Sequence, residues 1–207
     1  MGILHGQDKH DLLLERLTCK REFDGEACFA TLLSYAEKYG IKVVCTTDRD
    51  KYPFGWDGKT LRIESESAYR RSYDIAHELA HWILAPTDRR VLKEFGLGQG
   101  FSTHEIRAAE EAMAVTDDEA LEEEVLACIL SGLILYDLGA DTFNESSNTN
   151  LIMEKEEFLG IGMKYTFVGD SIFGSCKNPA IWINRIEWLI SQGLITHDLH
   201  VCWDQVK

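Results

Sequence analysis

One short motif in the sequence combines residue types and a spacing that indicate metal chemistry, His77-Glu78-Leu79-Ala80-His81. Two histidines four residues apart project from nearly the same side of an α-helix, about one turn from each other. They can therefore bind a single ion, and the glutamate after the first histidine acts on water in zinc proteases rather than on the metal. The motif predicts a hydrolytic zinc site with His77 and His81 as ligands and Glu78 as the catalytic residue.

The residues around this motif indicate a buried helix rather than a chance match on a surface helix. Apolar side chains recur with helical spacing from Tyr69 onwards, and Pro86 is expected to end the helix. Ser65 to Ser67 offer N-caps for its start. Burial of two histidines and a glutamate costs desolvation free energy unless another group pairs with them. A shared metal ion provides that pairing.

A catalytic zinc site takes three protein ligands, so a further residue must come from elsewhere in the chain. The metzincin spacing is excluded because position 87 is Thr87 instead of histidine. The acidic run Glu122-Glu123-Glu124 leads directly into the most apolar segment of the chain. We favour Glu124, because it shares a helical face with small residues such as Ala127 that allow another helix to approach closely. Glu122 and Glu123 are the alternatives.

The rest of the sequence predicts an α+β protein that is mainly helical. The predicted helices cover residues 8–17, 26–39, 69–85 and 179–192, with one or two more in 105–136. The predicted strands cover residues 41–47 and 60–64, and the alternation in the second strand predicts that one of its faces meets solvent. Residues 194–203 also have strand-like character. Residues 137–150 form the best linker, which divides the chain into a main domain (1–140) and a small C-terminal element (150–207).

Composition restricts the partners and the environment of the protein. The 207 residues carry 21 Lys and Arg against 35 Asp and Glu, a net charge of −14, which disfavours direct binding to nucleic acid. The longest apolar stretch, 125–136, is shorter than the ~20 residues of a membrane span, so it is predicted to be a buried helix and not a membrane anchor. Six cysteines without a CxxC pair, and no secretion signal, predict a cytoplasmic location.

The segment Tyr69–Trp82, which reads YRRSYDIAHELAHW, resembles the R-R-F-T-L-A-H-E-L-G-H segment of the ImmA/IrrE family of gluzincin-like metallopeptidases. The later helix is similar to the family's E-x-x-A-x-x-F-A-x-x-L-L motif, with Glu124 and Ala127 at its first two defined positions. The resemblance covers roughly residues 26–136. It implies a zincin-like fold and a cytosolic protein, typically bacterial or phage-encoded, that cleaves or engages a helix-turn-helix transcriptional repressor.

Two rival functions follow from the same residues. The first is a non-hydrolytic interaction module whose acidic surface binds a basic partner such as a repressor or an antitoxin. The second is a structural zinc protein, which requires a fourth ligand, for example Cys128. Two further side chains, those of Tyr69 and His104, are candidates for polarising a scissile carbonyl group, although structural roles are favoured for both.

Overall fold

The computed structural model describes residues 6–17, 19, 21–64, 66–100, 103–140, 151–152, 166–167 and 179–205. Its helices are α1 (Gly6–Leu17), α2 (Gly25–Lys38), α3 (Ala68–Leu84), α4 (Ile106–Glu110), α5 (Asp117–Asp137) and α6 (Pro179–Ser191). Its strands are β1 (Lys42–Cys45), β2 (Thr60–Ile63), β3 (Leu151–Ile152) and β4 (Thr166–Phe167). The predicted α+β class with a predominance of helix is confirmed at this coarse level.

Strands β1 and β2 pair in parallel, with Lys42 opposite Thr60 and Cys45 opposite Ile63. The prediction that one face of β2 meets solvent is wrong, because even the side chain of Arg62 is buried. The reason is that the preceding loop folds back over β2: Trp56 forms a bridge with Leu61, and the Arg62 amide donates to the Gly55 carbonyl. The buried guanidinium donates to the Phe54 carbonyl and pairs with Glu64.

Local interactions set both ends of helix α3, which carries the His77-Glu78-Leu79-Ala80-His81 motif. The Ser67 hydroxyl accepts a hydrogen bond from the Arg70 amide, which caps the first turn. The helix stops before Pro86, and the Ala85 amide closes its last turn on the His81 carbonyl. Its apolar side chains lie in the core, as predicted: Tyr73, Ile75, Ala76, Leu79, Ala80, Trp82 and Ile83.

Helix α5 is the longest helix of the described residues and packs against α3. It begins with a capping box, in which the Thr116 hydroxyl accepts from the Glu119 amide and the Glu119 carboxylate accepts from the Thr116 amide. Its later residues are buried on every side from Leu126 to Leu135, except for the partly buried Cys128. The predicted buried helix at 125–136 is therefore confirmed. This packing places the acidic start of α5 beside the motif of α3.

The C-terminal residues pack onto the N-terminal part of the chain. Helix α6 lies against α1, and Ile186 and Leu189 belong to the same hydrophobic core as the residues of α3 and α5. Residues 194–203 form one isolated antiparallel bridge, Ile195 with Val201, instead of an extended strand. The boundary predicted within 140–150 falls on residues 141–150, which lie outside the described part of the chain. Within the described ranges, no helix combines the length and apolarity needed to cross a bilayer.

Candidate metal centre

Three side chains from α3 and α5 converge on one point. The Nε2 atoms of His77 and His81 are 3.1 Å apart, and Oε2 of Glu124 lies 3.4 Å from the first and 3.3 Å from the second. The helical spacing of the histidines brings their rings together, and the packing of α5 on α3 brings the carboxylate to them. These are the three ligands that the sequence predicts, and they form a group that could hold a metal ion.

The distances between these atoms fit zinc. Ligand atoms at about 2.0–2.1 Å from a tetrahedral ion lie about 3.3–3.4 Å from one another. The three measured separations, 3.1 to 3.4 Å, are close to that value. Two imidazoles and one carboxylate are also a common ligand set of catalytic zinc. In both geometry and chemistry, the residues therefore fit the ion.

The three side chains of the centre differ in exposure. The side chain of His77 is 26% exposed, whereas those of Glu124 and His81 are 14% and 4% exposed. His77 is therefore the most accessible of the three, and His81 lies in the interior. A catalytic zinc site also requires a fourth position that is open to water or to a substrate.

The pKa values of His81 and Glu124 indicate that their surroundings favour a positive charge at this point. Burial opposes protonation of His81, but the Glu124 carboxylate outweighs burial and raises the pKa of this imidazole to about 10. Burial likewise opposes ionisation of Glu124, yet the two imidazoles hold its pKa well below its usual range. Two protonated rings would direct N–H groups at each other across 3.1 Å. A divalent cation removes this conflict because it replaces both protons.

Glu78 lies beside the centre without belonging to the ligand group. Its carboxyl group is partly buried, and burial raises its pKa while the neighbouring His81 and His77 oppose that rise. On the strand β2, Arg62 also interacts electrostatically with this carboxylate. A carboxylate with a raised pKa accepts and returns a proton more readily near neutral pH. These properties suit the predicted role of Glu78 as a general base.

The other two glutamates of the acidic run have different partners. Glu122 is exposed and accepts two hydrogen bonds from Arg185 of α6, at 2.8 and 2.6 Å. Glu123 points into the interior, pairs with the buried Arg89 and places Oε1 3.7 Å from Nδ1 of His81. Neither belongs to the ligand group, so Glu124 is the member of the run that the structure brings to the histidines.

Sequence reasoning missed Arg89. It follows Pro86 in a turn, and its basic neighbour Arg90 makes the pair resemble an ordinary solvated helix end. Arg89 is nevertheless only 8% exposed, because the start of α5 covers it. The local sequence contains no signal for this, since the partner carboxylate lies 34 residues further along the chain. The same Arg89–Glu123 pair lines a cavity of about 780 Å³, whose walls include Leu84, Leu126 and Trp188.

The remaining candidates lie in different surroundings. The Cys128 thiol contacts His77, but it does not belong to the group of mutually close ligand atoms. Within the part of the chain that the structure describes, that group contains no fourth protein ligand of the kind that a structural zinc site needs. His104 is exposed, with its Nδ1 3.5 Å from the Arg49 carbonyl oxygen. The Tyr69 side chain lies outside the described residues.

Comparisons of the chain with protein-family models, with curated proteins and with solved structures found no match.

Proposed function

We propose that the protein is a zinc-dependent metallopeptidase of the cytoplasm that cleaves a protein such as a helix-turn-helix repressor. The observation that carries the proposal is the convergence of His77, His81 and Glu124 to within 3.1–3.4 Å, with Glu78 next to them. The resemblance of residues 26–136 to ImmA/IrrE metallopeptidases supports peptide as the substrate class, because a hydrolytic zinc site by itself also serves other amides.

Each residue of the centre has a defined part in this proposal. A zinc ion held by His77, His81 and Glu124 would act as a Lewis acid and lower the pKa of a water that it binds to about 7. Glu78 would accept the proton of the attacking water on its carboxylate and pass it to the nitrogen of the leaving amine. The substrate would approach the centre past His77, the most exposed of the three ligand side chains.

The test is the Glu78→Gln variant, measured for zinc content and for cleavage of a fluorogenic peptide library. Gln keeps the shape of the side chain but cannot take up the proton, so we expect zinc binding to persist and turnover to fall about 10²–10⁴-fold. The matched control is Glu111→Gln, which changes an exposed glutamate paired with Arg107 on the surface. Equal turnover of the wild-type protein and the Glu78→Gln variant would refute the peptidase.

The alternative is a non-hydrolytic interaction module with the same centre. The net charge of −14 favours this candidate, because it would attract a basic partner such as a DNA-binding repressor or an antitoxin. The same variant distinguishes the two functions when the readout is repression or toxicity in cells. Loss of the cellular effect in Glu78→Gln favours the peptidase, whereas an unchanged effect favours the module.

A further inference from the structure

Among the described residues, three buried polar atoms next to the candidate metal centre have no hydrogen-bond partner: His81 Nδ1, Glu123 Oε1 and Arg89 Nη1. The His81 and Glu123 atoms face each other across 3.7 Å, and Arg89 pairs with the other oxygen of Glu123. The side chains of His81, Glu123 and Arg89 are 4%, 13% and 10% exposed, so all three lie largely in the interior. Unsatisfied polar atoms in a protein interior cost free energy and call for an explanation.

We propose that Glu123, held by Arg89, is a positioning residue that orients His81 for metal binding. This inference rests on the metal centre of the proposed function. A metal ion at Nε2 requires the remaining ring proton to be on Nδ1, where a hydrogen-bond acceptor fixes both the tautomer and the orientation of the ring. Glu123 Oε1 is the carboxylate oxygen that faces Nδ1, so it is the atom that would accept a hydrogen bond from the Nδ1–H group.

The separation of 3.7 Å between His81 Nδ1 and Glu123 Oε1 is longer than a hydrogen bond. A normal N–H···O hydrogen bond measures about 2.7–3.2 Å, so an approach of less than about 1 Å completes it. The bond would satisfy Nδ1 and Oε1 together.

A purely structural ion pair between Arg89 and Glu123 is the competing explanation. It accounts for one carboxylate oxygen of Glu123 but not for the second, which faces the ring. The neighbouring Glu122 shows what a structural pair looks like on the same helix. Both of its oxygens accept from Arg185, and neither is directed at the centre. Glu122 is therefore the matched control for Glu123.

The test measures zinc affinity of the full chain by competition with a chromophoric chelator. We expect Glu123→Ala to weaken zinc binding about 10–100-fold, the usual cost of removing a group that orients a metal ligand. The control Glu122→Ala is expected to bind zinc within about twofold of the wild-type protein. Equal zinc affinities for the Glu123→Ala and Glu122→Ala proteins would overturn the inference.

A second readout reports directly on the ring of His81. In long-range ¹H–¹⁵N spectra of the zinc-loaded wild-type protein, His81 should show a proton on Nδ1 that exchanges slowly with solvent. The Glu123→Ala variant leaves the buried Arg89 without its carboxylate partner and could therefore fail to fold. Glu123→Gln is the second variant for this measurement, because it keeps the shape of the side chain and removes only its charge. We expect faster exchange of the Nδ1 proton in this variant, and an unchanged exchange rate would contradict the positioning role.

The two proposals fail in distinguishable ways. If the wild-type protein binds no zinc, the metallopeptidase proposal fails and takes this inference with it. If the wild-type protein binds zinc tightly and Glu123→Ala binds it equally well, only the positioning role of Glu123 is overturned.

Discussion

Glu122, Glu123 and Glu124 are consecutive in the sequence, yet the structure gives each one a different partner: Arg185, Arg89 and the two histidines. Each residue turns an α-helix by about 100°, so neighbouring side chains point in different directions. The face shared with Ala127 was enough to favour Glu124 from the sequence. The roles of Glu122 and Glu123 could not be predicted, because they depend on arginines that are distant in the chain.

At this scale, Glu124→Ala should remove a metal ligand, whereas Glu122→Ala should not. We expect the first variant to lose more than about 100-fold in zinc affinity, since removal of a ligand costs more than removal of a group that orients one. Isothermal titration with Zn²⁺ measures both affinities. A large loss in Glu122→Ala with none in Glu124→Ala would show that the alternative ligand assignment is correct.

Glu94 is a buried carboxyl group with a predictable effect on pH-dependent stability. It accepts hydrogen bonds from the Gly55 amide and the Thr103 hydroxyl, but burial outweighs them and raises its pKa from 4.5 to about 7. Between these two values the folded protein retains a proton that the unfolded chain has lost. The contribution of Glu94 to the free energy of unfolding therefore falls as the pH rises through this window.

Urea unfolding of the wild-type protein and Glu94→Gln, from pH 4.5 to pH 7, measures this effect. The wild-type protein should lose stability relative to the variant as the pH increases, because glutamine does not titrate. The comparison between the two proteins cancels the titration of groups that do not interact with Glu94, and Glu78 is the neighbouring carboxyl group that does interact with it. Parallel stability curves across the whole window would contradict the assignment.

The packing of α5 against α3 holds the three ligand residues of the centre together. Sequence periodicity and the N-cap candidates Ser65 to Ser67 located α3 well, since a helix of strong pattern depends mainly on local sequence. The apolar run 125–136 located the buried part of α5, but its start at Thr116 was not predicted. The environment of β2 and the conformation of residues 194–203 were predicted less well. Arg62 is buried by a loop that folds back on the strand, and only tertiary packing determines that.

A larger side chain between α3 and α5 should disturb both folding and metal binding. Ala127 is completely buried, and it lies one turn after Glu124 on α5. We expect Ala127→Leu to lower the free energy of unfolding by about 1–3 kcal/mol through overpacking, and to weaken zinc binding by separating the ligands. The control is Ala30→Leu on the exposed face of α2. An Ala127→Leu protein with unchanged stability and zinc affinity would contradict this account of the interface.

At the level of the whole molecule, a partly buried polar cluster links the C-terminal residues to α1 and α5. Arg16 of α1 donates to the Leu199 carbonyl at 2.9 Å, and its guanidinium lies 3.9 Å from Asp137 at the end of α5. The imidazole of His200 contacts the same carboxylate, with its Nδ1 2.7 Å from Oδ1 of Asp137. This link could not be predicted from the sequence, because the three segments that meet there are far apart along the chain.

Replacement of the guanidinium in Arg16→Met should loosen this link while the apolar stem is retained. We expect the free energy of unfolding to fall by about 1–3 kcal/mol, since buried hydrogen-bond acceptors lose their donor. Amide hydrogen exchange at 195–201 should accelerate at the same time. The control Arg107→Met changes a side chain that is 91% exposed, and it should alter stability by less than about 0.5 kcal/mol. Equal stabilities of the two variants would contradict the predicted role of Arg16.

The central claim is that His77, His81 and Glu124 together hold one zinc ion. X-ray absorption at the zinc edge, on protein loaded with one equivalent of zinc, tests it most directly. We expect imidazole nitrogens and oxygen at about 2.0–2.2 Å in the first coordination shell and no sulfur. A protein that retains no zinc, or a shell that contains sulfur at about 2.3 Å, would contradict it.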